Sequence, residues 1–350
     1  VPELIQTRSE EEWLEARRRG VTASEIAILL GISPYSSPYA LYHAKRGTIS
    51  GEPDSAVMER GRVLEPYIRG KFAQAHPEFA VIGDGRQLWR HDERPWQMAT
   101  PDAVVHAVAE TDACTCYGGD TEYGHEPRCG LELGRPVAVA EFKVDGGSDE
   151  WGDEGSADIP VHYRAQVLWQ MDVMDVGTAY VACLRVRDWR IREYVVQLDD
   201  DARKDLELMR GEAEDFLADV RSGMEPDLDW RPATLSALKT IYSEPGELDV
   251  PVRRSLVTQY RAAVRRYREA ERRKDEMTAR MLAAIGTGRR AIDVRTAEPV
   301  ATRSVSYPRR IDPEKLRSKY PDAAADCTRE PKPEIKITPA KEKKNAPDGQ

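Results

Sequence analysis

The sequence predicts an α/β (α+β) core, a central mixed sheet flanked by helices, followed by a helical C-terminal appendage. Three observations carry that prediction. Helical periodicity and short strand-like runs alternate through residues 10–221. The apolar, β-branched run Val137–Val144 has the length and composition of a central strand. Beyond a Pro/Asp/Trp-rich linker near 225–232, the chain turns helical and rich in arginine. With 350 residues, and about 100–200 residues per domain, two domains or one large domain with an appendage are expected. We place the core at 1–230, with an insert at 111–134. A mainly helical basic region follows at 231–325, and a Pro/Lys/Glu-rich disordered tail at 326–350.

Each element has its own signal. Ser9 and Glu12 have the spacing of a capping box and open a helix that Gly20 ends. Thr22 and Glu25 repeat that spacing and start a second helix, Ala23–Leu30, stopped by Gly31. Pro38–Lys45 reads as another helix, and Met58–Ala75 as a fourth that Pro66 should cap or kink. Phe79–Ile82, Gln87–Arg90 and Gln97–Thr100 are short strands between Gly, Asp and Pro residues. After the strand Val137–Val144 come a helix, Val161–Val173, and a hairpin of Thr178–Val186 and Arg190–Leu198 turned by Arg187-Asp188-Trp189. A helix over Asp200–Arg221 closes the unit. Residues 234–290 are mostly helical, and 291–310 form a small hairpin.

Composition excludes several function classes. The apolar stretches are far shorter than the roughly 20 residues of a membrane span. No basic-then-apolar leader opens the sequence, and five cysteines do not form a disulfide framework. These features predict a cytoplasmic protein with no membrane partner. The net charge of -9 is an average over a split. Residues 101–160 hold 14 acidic and three basic side chains, whereas 252–290 hold 12 basic and four acidic ones. Such a chain can hold a divalent cation in one region and phosphates in another, so global acidity does not exclude nucleic acid.

The chemistry-bearing residues begin with Glu141-Phe142-Lys143. On a strand, Glu141 and Lys143 share one face and Phe142 takes the other. An ionised pair in a buried strand needs compensation, which a metal ion beside Glu141 would give; a plain strand-end ion pair is the alternative. Asp102 follows Thr100-Pro101 just past a short strand, where it is either a turn residue or a second carboxylate at a strand end. Two carboxylates and a lysine suit a hard divalent cation, whose bound water can attack a phosphodiester. At Thr22, free backbone N–H groups at a helix start, with Arg17 just before and Ser24 just after, suit a phosphate; a simple capping box is the other reading.

Thr100-Pro101-Asp102 followed by Glu141-x-Lys143 resembles the PD-(D/E)xK nuclease signature. Three flanking segments narrow the resemblance to the lambda-exonuclease-like, YqaJ-type viral recombinase family. They are Arg17-Arg18-Arg19-Gly20-Val21-Thr22-Ala23-Ser24-Glu25, Gly61-Arg62-Val63-Leu64-Glu65-Pro66 and His162-Tyr163-Arg164-Ala165-Gln166-Val167. The resemblance implies a restriction-endonuclease-like core. It also implies an exonuclease, dependent on Mg²⁺ (or Mn²⁺) and using two ions, that degrades linear duplex DNA from 5′ to 3′. Its products would be 3′ single strands for phage-type recombination. A single-strand annealing protein and a homo-oligomeric ring around DNA ends are the implied partners, in a bacterial cell carrying a phage or prophage.

By the same resemblance, Asp102, Glu141 and Glu65 hold the metal, Gln166 reaches the metal or its water, and Lys143 positions the water. Glu65 otherwise reads as part of a surface charge ladder with Arg62 and Arg69. Gln170, one turn from Gln166, has no such support. Arg17, Ser24 and Thr22 match a 5′-phosphate pocket, with Arg18 and Arg19 competing for the place of Arg17.

The chain departs from the family pattern between Asp102 and Glu141. Cys114, Cys116, His125 and Cys129 there make a complete tetrahedral zinc set, although the first pair is closer than the usual two to four intervening residues. Reduced thiols in a polar loop are the alternative. An iron–sulfur cluster would need a fourth cysteine from Cys183 or Cys327, and Cys183 reads as core packing. The Arg-rich C-terminal helix is a solvated arm, a coiled-coil surface or a DNA contact. Two further readings keep the same core: a sequence-specific endonuclease, and a non-catalytic DNA-end or partner-binding protein.

Overall fold

The computed structural model describes residues 1–49, 56–83, 86–108, 134–244, 246–307 and 312–328. The chain forms two compact units, residues 1–241 and 242–350.

The first unit runs β1 (Glu3–Ile5), α1 (Glu10–Arg18), β2 (Val21–Thr22), α2 (Ala23–Leu29), α3 (Pro38–Lys45), α4 (Ala56–Ala75), β3 (Phe79–Ile82) and β4 (Leu88–Arg90). It continues with β5 (Gln97–Ala99), β6 (Ala103–Ala107), β7 (Pro136–Asp145), α5 (Val161–Met174), β8 (Thr178–Arg185), β9 (Arg190–Gln197), α6 (Asp200–Ser222) and α7 (Pro232–Ile241). A five-stranded sheet has the order β3-β6-β7-β8-β9. Its pairs are antiparallel except β7 with β8, where α5 is the crossover that a parallel pair requires. A four-stranded sheet has the order β1-β4-β5-β2, with β2 parallel to β5. This is the mixed α/β core with helix-flanked sheets that the sequence predicts.

Strand alternation decides which side chains reach which layer. On β7, Ala138, Ala140 and Phe142 pack with Ile68 and Phe72 of α4. Val139 faces the other way, into the core built on Leu168, Trp169 and Met171 of α5. With a side-chain period of two, Glu141 and Lys143 join Val139 on the α5 side. Helix α5 is buried around most of its circumference, as a helix between layers must be. Its Trp169 indole N–H donates to the Met98 carbonyl on β5 at 3.1 Å, tying the two sheets together.

The structure corrects several expectations. Strands β1, β2 and β6 are absent from the sequence reading, because two- to five-residue runs beside Pro and Gly carry little periodicity. Of the two roles expected of Pro66, capping does not hold: it lies inside α4, whose following turns are held on the sheet by the fully buried Ile68 and Phe72. Helix α7 belongs with the first unit, packing through Ala237 against Tyr39 and Ala40 of α3. The tail expected from 326 lies outside the described residues beyond Thr328.

In the second unit, α8 (Arg254–Ile285) contains no buried residue. It is followed by the expected hairpin, β10 (Arg290–Ile292) with β11 (Pro299–Thr302), and by α9 (Pro313–Lys319) and α10 (Pro321–Asp326). Among the described residues no helix is long and apolar enough to cross a membrane.

One ion-pair hub joins the layers of the first unit. Asp172 on α5 accepts from Gln97 Nε2 at 2.6 Å, Arg94 at 3.2 Å and Arg210 Nε at 3.0 Å. Burial works to raise this carboxyl's pKa, but Arg210, Gln97 and Arg94 outweigh it and hold it below the ordinary aspartate range. A depressed folded pKa means stability that is present above the unfolded value, about 3.9, and lost as pH falls through the folded value. We expect Asp172→Asn to destabilise the protein by about 3 kcal/mol near neutral pH. The deficit should shrink as the pH falls below about 4. Urea unfolding of both proteins across that range measures it.

Candidate active site

The site is built where β6 begins. The antiparallel register sets Ala103 opposite Ala140, so the next step back along the chain brings Asp102 beside Glu141. The β6 ladder stops there, and Asp102 Oδ2 takes over as acceptor for the Phe142 N–H at 2.7 Å. Residues 40 apart in sequence thus become neighbours because a side chain extends a backbone ladder.

Glu141 is only 2% exposed. An uncompensated carboxylate at that depth would be strongly disfavoured, and three donors meet it. Lys143 Nζ and Gln166 Nε2 (2.6 Å) donate to Oε1, and Gln170 Nε2 donates to Oε2 at 2.7 Å. Lys143 also lies 4.9 Å from the centre of the Tyr163 ring, a cation–π contact. Burial would depress the Lys143 pKa, but Glu141 and Asp102 outweigh it and hold it above the usual lysine range. The Asp102 pKa is raised as well, which for a carboxyl favours the neutral form. Burial, then the charges of Glu141 and Glu65, push its carboxyl well above the ordinary range, against the pull of Lys143 and the Phe142 N–H. Glu65, half-buried on α4, is therefore close enough to act on the same site.

A second cluster adjoins the first. Arg17 at the end of α1 lies over the Trp13 ring at 4.4 Å and donates to Thr22 Oγ1 (3.2 Å) and Ser24 Oγ (3.3 Å). Arg18 and Arg19 turn away to pair with Glu15, so of the three arginines it is Arg17 that meets Thr22 and Ser24. The loop is braced from below. Thr22 N–H and Lys45 Nζ both donate to Glu25 Oε2, at 2.8 and 2.7 Å, and Lys45 also donates to the Arg17 carbonyl at 2.7 Å. Burial opposes ionisation of Glu25, but Lys45 and Arg17 outweigh it and hold its pKa below the ordinary value. Gly20 permits the close approach, since a Cβ there would lie 2.1 Å from the Trp96 carbonyl oxygen. With only seven residues in α2, the anion-attracting character rests on the Arg17 guanidinium and two hydroxyls more than on a helix dipole.

A cavity of about 150 Å³ connects the two clusters, lined by Trp13, Arg17, Thr22, Ser24, Thr100 and Gln166. At about 30 Å³ per water molecule, it has room for a phosphate-sized group. Gln166 is common to both clusters, lining this cavity while donating to Glu141.

Whether a divalent cation suits these residues turns on donor chemistry. Among the described residues, no group of three or more His, Cys, Asp or Glu side chains forms a ready-made metal cluster. Asp102 and Glu141 do offer hard oxygen donors side by side, and their mutual repulsion, with that of Glu65, is what a cation would relieve. The residues fit such an ion. The proposed zinc set, Cys114, Cys116, His125 and Cys129, lies outside the described residues. Cys183 is fully buried and its thiol is pushed up to about 12 by burial first, as expected of core packing.

Trp13 and Lys45 adjoin the candidate site without having been singled out in the sequence reading, which left Gln170 unsupported and named Thr100 only within Thr100-Pro101-Asp102. Gln170 could have been found as the polar interruption of an otherwise apolar helical stretch, four residues from Gln166. Lys45 and Thr100 carry no such signal, since their roles come from tertiary contact.

Residues 12–178 match the family model of the YqaJ-like viral recombinase domain. An uncharacterized protein YqaJ of Bacillus subtilis (strain 168) is 25% identical over 239 residues, spanning 67% of this chain and 64% of the relative. The chain thus covers a little under two thirds of that relative's length. Two solved structures are partly similar. One is the alkaline exonuclease LHK-Exo of Laribacter hongkongensis, 19% identical, with a TM-score of 0.41, over 61% of this chain and 94% of that one. The other is a phage-related exonuclease of Haemophilus somnus 129PT, 10% identical, with a TM-score of 0.38, over 59% and 96%. The segment similar to the YqaJ-like viral recombinase domain, residues 12–178, contains every residue of both clusters.

Proposed function

We propose that this protein is a divalent-metal-dependent deoxyribonuclease, specifically an exonuclease that digests linear duplex DNA from 5′ to 3′ and leaves 3′ single strands for recombination by strand annealing. The observation that carries the reading is the meeting of Asp102, Glu141 and Lys143 at one strand edge, beside a cavity lined by Arg17, Thr22 and Ser24.

Asp102, Glu141 and Glu65 would hold Mg²⁺ or Mn²⁺, two ions by the family resemblance. The metal would supply activation of a water for in-line attack on the phosphodiester and stabilisation of the leaving oxygen. Lys143, fixed by Glu141 and Tyr163, orients that water and offsets charge on the scissile phosphate. Gln166 positions Glu141 from the cavity side. Arg17, with the hydroxyls of Thr22 and Ser24, binds the terminal 5′-phosphate. A strand held by its end phosphate at a fixed distance from the scissile bond sets the direction of digestion. The implied setting is a phage or prophage in a bacterial cytoplasm, with an annealing protein and a ring of subunits as partners.

Glu141→Ala and Lys143→Ala should each abolish Mg²⁺-dependent digestion of linear duplex DNA, with circular dichroism spectra like the parent's. Retention of parental digestion by either variant refutes its role. Closed circular DNA should stay intact; cutting it would indicate an endonuclease. Arg17→Ala should erase most of the preference for a 5′-phosphorylated over a 5′-hydroxyl end, a loss of about 10-fold or more given one charge-assisted contact of 1.5–3 kcal/mol. Equal preference in variant and parent would remove Arg17 from the end-binding role.

A further inference from the structure

We infer that Gln170 is a positioning residue for Glu141: a buried neutral donor that fixes Oε2 of the metal-binding carboxylate while leaving its charge intact. This rests on the nuclease reading above and adds a residue to it.

Gln170 is wholly buried, beside Trp169 and Met171, which are equally buried. Its Nε2 donates to Glu141 Oε2 at 2.7 Å, and its Oε1 is buried with no hydrogen-bond partner among the described residues. An unpaired amide oxygen in a core is destabilising, and such a group calls for an explanation. An apolar side chain of equal length would fill the space without the orphan. Rotating the amide would not cure it, because Oε1 would then face Glu141 Oε2, acceptor against acceptor. The position therefore makes sense for what it does to Glu141 and not for packing.

The two oxygens of Glu141 are treated differently. Oε1 receives a cation, Lys143, and the cavity-lining Gln166. Among the described residues, Oε2 receives only the Gln170 amide, which restrains the carboxylate plane without cancelling negative charge. Gln166 lines the cavity and a substrate could touch it, whereas Gln170 is sealed off and can act only through Glu141. Outer partners that orient a metal-binding group commonly change metal affinity by about 10–100-fold when removed.

The test is Mn²⁺ binding to the full chain, without DNA, by titration calorimetry. Parent, Gln170→Met (similar volume, no donor) and Gln170→Asn (a donor one methylene short) are compared. We expect both variants to bind Mn²⁺ about 10-fold or more weakly. Their binding of duplex DNA in metal-free buffer, through the Arg17 cluster, should equal the parent's. Parental Mn²⁺ affinity in either folded variant overturns the role. Loss of folding in both would make Gln170 a core residue and also overturn it. A parent chain that binds no Mn²⁺ and digests no DNA would instead bring down the nuclease reading, and this role with it.

Discussion

The burial of one negative charge organises this domain. Glu141 sits on the central strand of the five-stranded sheet, on the face covered by α5, where an unpaired carboxylate could not persist. Lys143 arrives from the same strand by the two-residue period. Gln166 and Gln170 arrive from α5 by the four-residue period of a helix. Two regular periodicities thus deliver every donor, and the crossover from β7 through α5 to β8 fixes the distance between them. Replacing such a polar cluster by apolar residues is often neutral or stabilising. Stability alone therefore gives no reason for such a cluster in the middle of a core, whereas the proposed chemistry does.

Much of this was legible in the sequence. The Glu-x-Lys spacing, the helix with Gln166, the central strand and the hairpin after it all follow from period and turn residues. Arg17, Thr22 and Ser24 could be named because a helix end and a helix start meet at Gly20. The Asp102–Phe142 contact was less accessible. It depends on β6, whose five residues begin right after a proline, and on a ladder that a side chain completes. Local turn chemistry reads Pro-Asp as a turn, and the PD-(D/E)xK resemblance names Asp102 without showing what holds it. Only the register with β7 shows why the carboxylate stops beside Glu141.

Gln170 illustrates the opposite difficulty. The sequence presents it as the i+4 partner of Gln166, which is as common on a solvated face as in a site. What distinguishes it is burial, and burial of α5 on nearly all sides depends on both sheets closing over it. Lys45 is similar, since a terminal lysine on a short helix reads as solvated. It becomes a buried brace because Glu25 and the Arg17 carbonyl converge on it across 20 and 28 residues. Tertiary contact, not local propensity, assigned both.

On the proposed reading, the parallel pairing of β2 with β5 lets binding an end and cutting a bond be one event. Thr22 lies beside Met98, and two residues on is Thr100, which lines the cavity between the clusters. Asp102 follows two residues later. The Arg17 cluster is therefore locked to the strand that leads directly into the acidic edge, and Gln166 bridges them from the helix side. No hinge separates the two along this path. On the proposed reading, a phosphate seated against Arg17 is already at a set distance from Glu141, so selection of an end and the direction of digestion come from a rigid spacing within one cavity. A loose connection would leave both properties to a conformational change, and nothing in the hydrogen bonding of Thr22, Glu25 and Lys45 provides for one.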